Sequence, residues 1–124
     1  MVLRVGEEDP AGALLRALKR RALEDYAPRL AEHCARFGVA VPPLRLTSAR
    51  TRWGSCSTRS GIRLHWRLIH LEPELIDYVV AHEVAHLAEM NHSPRFWRLV
   101  ETLHPQWQLS RRRLHAAGAE LPRI

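Results

Sequence analysis

The sequence has little that would cross-link it or bury it in a membrane. It holds two cysteines in 124 residues, Cys34 and Cys56. That excludes the disulfide-dense scaffold of small secreted domains and fits a reducing compartment. No apolar run reaches the roughly 18 residues that a membrane span needs. The opening stretch MVLRVGEEDPAG carries acid where a signal peptide needs an apolar core. The expected location is therefore cytoplasmic, with no membrane partner. Low-complexity tracts and internal repeats are also missing, so disordered and solenoid classes drop out.

Two further shortages concern charge. Lys19 is the single lysine against eighteen arginines. Between His33 and Leu71 there is no Asp or Glu, while Arg36, Arg45, Arg50, Arg52, Arg59, Arg63 and Arg67 all fall there. Such a segment suits a surface that attracts nucleic acid, nucleotide or an acidic polypeptide, because the guanidinium fork matches phosphate and carboxylate. A merely solvated sheet face is the preferred reading, since no aromatic-basic motif of a nucleic-acid module accompanies the charge. What remains is ordinary for a folded soluble chain, with 46% hydrophobic and 26% charged residues. The length predicts one domain over 1–124, too small for a deep two-domain cleft.

Residues 11–37 repeat apolar side chains at steps of three and four (Leu15, Leu18, Ala22, Tyr26, Leu30, Cys34, Phe37), which predicts a helix. Pro28 is expected to kink it or start a second helix, and Gly38 to stop it. After the break at Val41-Pro42-Pro43, LRLTS reads as a short strand. Thr51 to Gly61 reads as a polar hairpin-like loop turning at Gly54. A cleaner strand follows, with Ile62, Leu64, Trp66 and Leu68 on one face and Arg63, His65 and Arg67 on the other. Pro73 opens a strongly apolar helix that Asn91 is expected to cap in the left-handed conformation. Ser93-Pro94 starts another helix. A last one follows Pro105, carries Arg111 to Arg113 and ends near Gly118. The order predicts an α+β domain: an N-terminal helix, a small antiparallel sheet packed on the apolar helix, then C-terminal helices.

The stretch HEVAHLAEMNHS carries the chemistry. His82 and His86, four apart, share one helical face and can offer two nitrogens to one zinc ion at about 2.0–2.1 Å. Glu83 is rotated by about 100° from His82 at 3.6 residues per turn, out of the ligand set but within reach of a water. It is the candidate general base, and then the acid for the leaving group. His92, just past the expected helix end, is the candidate third ligand, with Glu89 and His104 in reserve. The same six-residue separation occurs in metzincins, with a glycine where this chain has Glu89. His33, His65, His70 and His115 are read as surface or packing residues. Trp66, Phe96, Trp97 and Trp107 are read as core anchors.

RWGSCS, IRLHWRLI, IDYVVAHEVAHL and NHSPRFW, in this order, resemble the YgjP-like metallopeptidase family, minimal zincins related to SprT-like and WLM domains. The likeness runs from about Leu14 to Ala117. It implies zinc held by His82, His86 and His92, Glu83 as catalytic base, and a zincin-like fold with its sheet against the motif helix. The chain departs from the family pattern in lacking most of a further N-terminal β-rich region. It also carries His65 where Asn is common, which is read as a surface change. Trp53 and Gly54 are read as packing and turn residues, Cys56 as an inert thiol.

Three functions follow. The first is zinc-dependent hydrolysis of a polypeptide, extended or unfolded because so small a chain leaves a shallow cleft. Arg63, His65, Arg67, Tyr78 and Asn91 are candidates for steadying the oxyanion. The second is hydrolysis of a nucleotide phosphoanhydride, with the arginines on the phosphates. The third is a non-catalytic zinc module binding nucleic acid or protein. Glu83 counts against the last, because a structural site gains nothing from a base.

Overall fold

A computed structural model describes residues 10–50 and 52–117. Helix α1 (Pro10–Phe37) leads into strands β1 (Leu44–Thr47), β2 (Gly54–Ser57) and β3 (Gly61–His65) and a 3-10 turn over Trp66–His70. Helices α2 (Pro73–Ala85), α3 (Pro94–Leu103) and α4 (Trp107–Ala117) follow. The α+β order is as the sequence predicts. None of the described helices is long and apolar enough to cross a membrane.

The central element is α2. From Leu75 to Ala85 every residue except Asp77 is buried, the signature of a helix enclosed on all sides rather than lying on a surface. Against it pack α1, β2, α3 and α4. Tyr26, Leu30, Ile62, Leu64, Leu68, Val79, Val80, Val84, Phe96 and Val100 belong to the one apolar cluster this produces.

The sheet differs from the expected antiparallel one. Its strand order is β1-β3-β2: β2 pairs antiparallel with β3, but β1 pairs parallel with it. The chain leaves β1, reverses to run β2 at the far edge, and then lays β3 into the gap. The hairpin turn also sits later than expected. Gly54 begins a strand, and Gly61 takes the positive φ (88°). A Cβ at Gly61 would meet the Pro43 carbonyl at 2.3 Å, so glycine is required there twice over.

Three other local expectations change. Pro28 does not divide α1, which runs for 28 residues; Pro28 and Glu24 are both exposed, so water can take the carbonyl that proline leaves without a donor. The second strand run stops at His65, whose Nδ1 accepts the Arg67 N–H at 3.0 Å and turns the chain into a 3-10 helix. And α2 ends at Ala85 rather than near Asn91. His86, Leu87 and Ala88 donate their backbone N–H groups to residues three back, a tightened last turn. No non-glycine residue among those described has positive φ, so Asn91 is not a left-handed cap. The expected stop at Gly118 lies outside the described residues.

Candidate metal centre

The tightened end of α2 brings the histidines together. His86 sits at the helix cap, and its Nδ1–H donates to the Glu89 carbonyl at 3.0 Å. That bond fixes the tautomer and leaves Nε2 free to accept. Ser93 then caps α3 by accepting the Phe96 N–H at 3.3 Å. With Pro94 at the first helical position, the connection is short enough to turn His92 back over α2. His92 Nε2 faces His86 Nε2 at 3.0 Å. Each of His82, His86 and His92 offers a ring nitrogen, and these lie within 4.8 Å of one another.

The donor set fits a metal ion. Nitrogens on one tetrahedral zinc, at about 2.0–2.1 Å from it, stand about 3.3 Å apart, close to the His86–His92 separation. His82 Nε2 is buried with no hydrogen-bond partner, which is costly unless something accepts its lone pair. Burial pushes the His82 pKa down to about 3, with the charges of His92 and Arg111 adding to the effect. Burial lowers His86 as well. Neutral imidazoles are what a metal requires.

Glu83 lies beside the cluster, 2% exposed, with Oε2 at 3.2 Å from His82 Nδ1. Burial pushes its pKa up to about 7, against the opposing pull of His86, His92 and Arg52. A carboxyl near 7 exchanges protons at neutral pH.

Two residues matter here that sequence reasoning missed. A Cβ on Gly54 would meet Glu83 Oε2 at 3.1 Å and the Arg63 carbonyl at 3.1 Å. Gly54 is therefore not a turn residue; its missing side chain makes room for the carboxylate. A glycine inside a strand often marks such a close approach, and that signal was available in RWGSCS. Phe96, expected as a core anchor, also supports the histidines: its ring centroid lies 5.0, 4.4 and 4.9 Å from those of His82, His86 and His92.

The reserve ligands stay out of the cluster. Glu89 contributes its backbone carbonyl to His86. His104 is bound elsewhere, with Nδ1 on Asp77 at 2.9 Å and Nε2 on Ser110 at 2.8 Å. His65 is no surface change: it is buried, caps the 3-10 turn and meets Trp53 edge-on at 5.8 Å. Of the oxyanion candidates, Tyr78 touches the ligands, its ring 6.0 Å from His82, but its hydroxyl is buried without a partner. Arg67 lies over Trp66, while Arg63 and Asn91 are exposed. Cys56 is half-buried; burial and the Glu83 charge push its thiol up to about 11, so it stays protonated.

A family model for the YgjP-like metallopeptidase domain matches residues 2–117. The chain belongs to the YgjP-like family. The fold of this family member is similar to the crystal structure of the metallopeptidase zymogen of Pyrococcus abyssi abylysin. The TM-score is 0.70 at 25% identity, over 78% of this chain and 98% of that one. No curated protein matches the sequence significantly. Family and fold together make this YgjP-like chain a metallopeptidase domain.

Proposed function

We propose that the domain is a zinc-dependent hydrolase of peptide bonds, with His82, His86 and His92 as the metal ligands and Glu83 as the catalytic base. The observation that carries this reading is one juxtaposition: three ring nitrogens within 4.8 Å of one another, beside a buried carboxylate 3.2 Å from His82. The chemistry that zinc supplies when bound is that of a Lewis acid, polarising a carbonyl and acidifying water.

The residues of the chain do the rest. Glu83 accepts the proton of the attacking water on a carboxylate oxygen and returns it to the departing amine. Its burial tunes it to both roles, since a group with pKa about 7 is divided between acid and base at neutral pH. The Glu89 carbonyl orients His86, and Phe96 limits how the three rings can turn. Substrate is a polypeptide in extended form. In the sheet order β2 is an edge strand, and Gly54 at its start touches Glu83. A segment added as a further strand to that edge would pass the base with its own backbone paired.

The test is metal content and turnover of purified protein against Glu83→Gln on an unfolded protein substrate. The variant should retain zinc and lose about 10²–10⁴-fold in turnover, the usual contribution of a general base. Retained turnover would remove Glu83 from the mechanism, and a protein that takes up no added zinc would end the metallohydrolase reading.

A further inference from the structure

The arginine-rich, acid-free segment is not spent by the metal centre, and the sheet gives it an arrangement. Strand alternation sends Ile62 and Leu64 into the core and leaves Arg63 exposed between them. Arg45 is likewise exposed on β1, and the register sets it directly beside Arg63. On the other side of Arg63 stands Ser55 of β2. One row across the outer face thus reads Arg45, Arg63, Ser55 and then the open edge. Two arginines side by side repel unless an anion shares them. The segment around them supplies none: there is no Asp or Glu between His33 and Leu71.

Resting on the peptidase reading, we infer that this row selects acidic polypeptide: Arg63, reaching over Ser55, pairs with an Asp or Glu of the substrate strand bound at the edge of β2. The distance allows it. Strands are spaced by about 4.8 Å, so a side chain on the added strand stands about 10 Å from the Arg63 backbone, within the summed reach of an arginine and a carboxylate. Nothing tall intervenes, because the outer positions of β2 are Ser55 and Ser57. Side chains alternate along the added strand as well: those turned inward face Glu83, and their neighbours face Arg63. Arg45, one strand further away, extends the positive field and strengthens attraction before contact. Nucleic acid is the less favoured occupant. The strands carry no exposed aromatic ring on this face for a base to stack on, His65 being buried.

The experiment uses the full chain loaded with zinc and a mixed peptide library. Cleaved bonds should be flanked by Asp or Glu at least about threefold above their frequency in the library, an effect on the scale of one exposed ion pair. Arg63→Glu should reverse the preference towards Lys and Arg, with circular dichroism and melting unchanged because the side chain is exposed. Cleavage without acidic preference, or an Arg63→Glu profile like the wild type, would overturn the inference and leave the peptidase reading intact. A second measurement needs no turnover: Glu83→Gln is titrated with an Asp/Glu-rich peptide, a Lys/Arg-rich peptide and a single-stranded oligonucleotide. Tighter binding of the acidic peptide, lost with Arg63→Glu, supports the surface even if no bond is ever cut. Equal binding of both peptides, or an oligonucleotide bound more tightly through the same arginines, refutes it.

Discussion

Two clusters of histidines are built on helix α2, and they differ in what completes them. At one end, Asp77 takes the Nε2–H of His33 at 2.8 Å and the Nδ1–H of His104 at 2.9 Å, one on each carboxylate oxygen. His104 also reaches Ser110. At the other end, His82, His86 and His92 face one another, and a buried nitrogen of His82 has no partner. Residue type is the same in both, so imidazole alone decides nothing. Histidines that converge on an acid tie elements together, here α1 and α4 to α2, although His33 Nδ1 is itself buried without a partner. Histidines whose ring nitrogens converge on one another, as those of His86 and His92 do at 3.0 Å, are complete only with a cation. The first cluster even has the connectivity of a Ser–His–Asp triad. Ser110 is only 2% exposed, however, so no substrate can meet it, and the network reads as a structural tie.

The contrast can be broken by exchanging the roles. Replacing His82 or His86 by Ala should abolish turnover and cost zinc affinity more than the roughly 10–100-fold typical of changes behind the ligands. Metal titration measures this directly; zinc held as tightly as by the wild type would remove that residue from the ligand set. Asp77→Ala should do the opposite. It strands two imidazoles without their acceptor, at about 1–3 kcal/mol each, so chemical denaturation should register about 2–6 kcal/mol while zinc binding to the folded protein is unchanged. A stable Asp77→Ala protein, or one that loses its metal, would erase the distinction between the clusters. Gly54→Ala acts on neither set of histidines but on the base beside His82. With its new methyl pinned between the Arg63 carbonyl and Glu83, the carboxylate must shift. Turnover should fall about tenfold with zinc retained, the scale on which small misplacements act. Wild-type turnover would mean that Glu83 has slack.

How far the sequence disclosed all this follows the range of the interactions. The His82–Glu83–His86 spacing is local, and so is the Ser93-Pro94 restart that returns His92; both were legible. The α+β order follows from periodicity within single elements. The parallel placement of β1 was not legible, because its pairing with β3 joins Leu44 to Ile62, 18 positions apart, and leaves no spacing within LRLTS to read. The early end of α2 was hidden for a related reason: apolar spacing continues to Leu87, but the last turn is tightened by the side chain of His86 bonding the Glu89 carbonyl. His104 and His33 are far from Asp77 in sequence, so a tie between them leaves no spacing to read. Gly54 was misread because turns are the commoner use of glycine, while the Glu83 it accommodates is 29 positions away.

The smallest expected effect concerns acid, and it separates His82 from its neighbour in the metal-free protein. Burial holds the His82 pKa near 3 in the folded state, against 6.5 ordinarily. Between those values the unfolded chain binds more protons, so the stability due to the neutral ring is lost as pH falls from 6.5. Glu83 works the other way. Its folded pKa of about 7 exceeds the ordinary 4.5, so its contribution is present at low pH and is lost as pH rises through that interval. From about pH 4.5 to 6.5 the two slopes oppose, so wild-type stability should vary less with pH than that of a protein lacking the Glu83 carboxyl. Glu83→Gln removes one of them. The variant should then weaken on acidification through this window, with His82 contributing at most about 1.4 kcal/mol per pH unit, the ceiling for one proton. Burial lowers His86 and His65 as well, and both add in the same direction. Asp77 enters only lower. Burial would raise it, but the bonds from His104 and His33 outweigh that and hold it well below the usual carboxylate range, so its share is lost below about pH 3.8. Denaturation midpoints across this range, with a chelator present, read all three. A Glu83→Gln profile no steeper than the wild type would mean that Glu83 is not held protonated by burial, and the contrast between the two clusters would then rest on geometry alone.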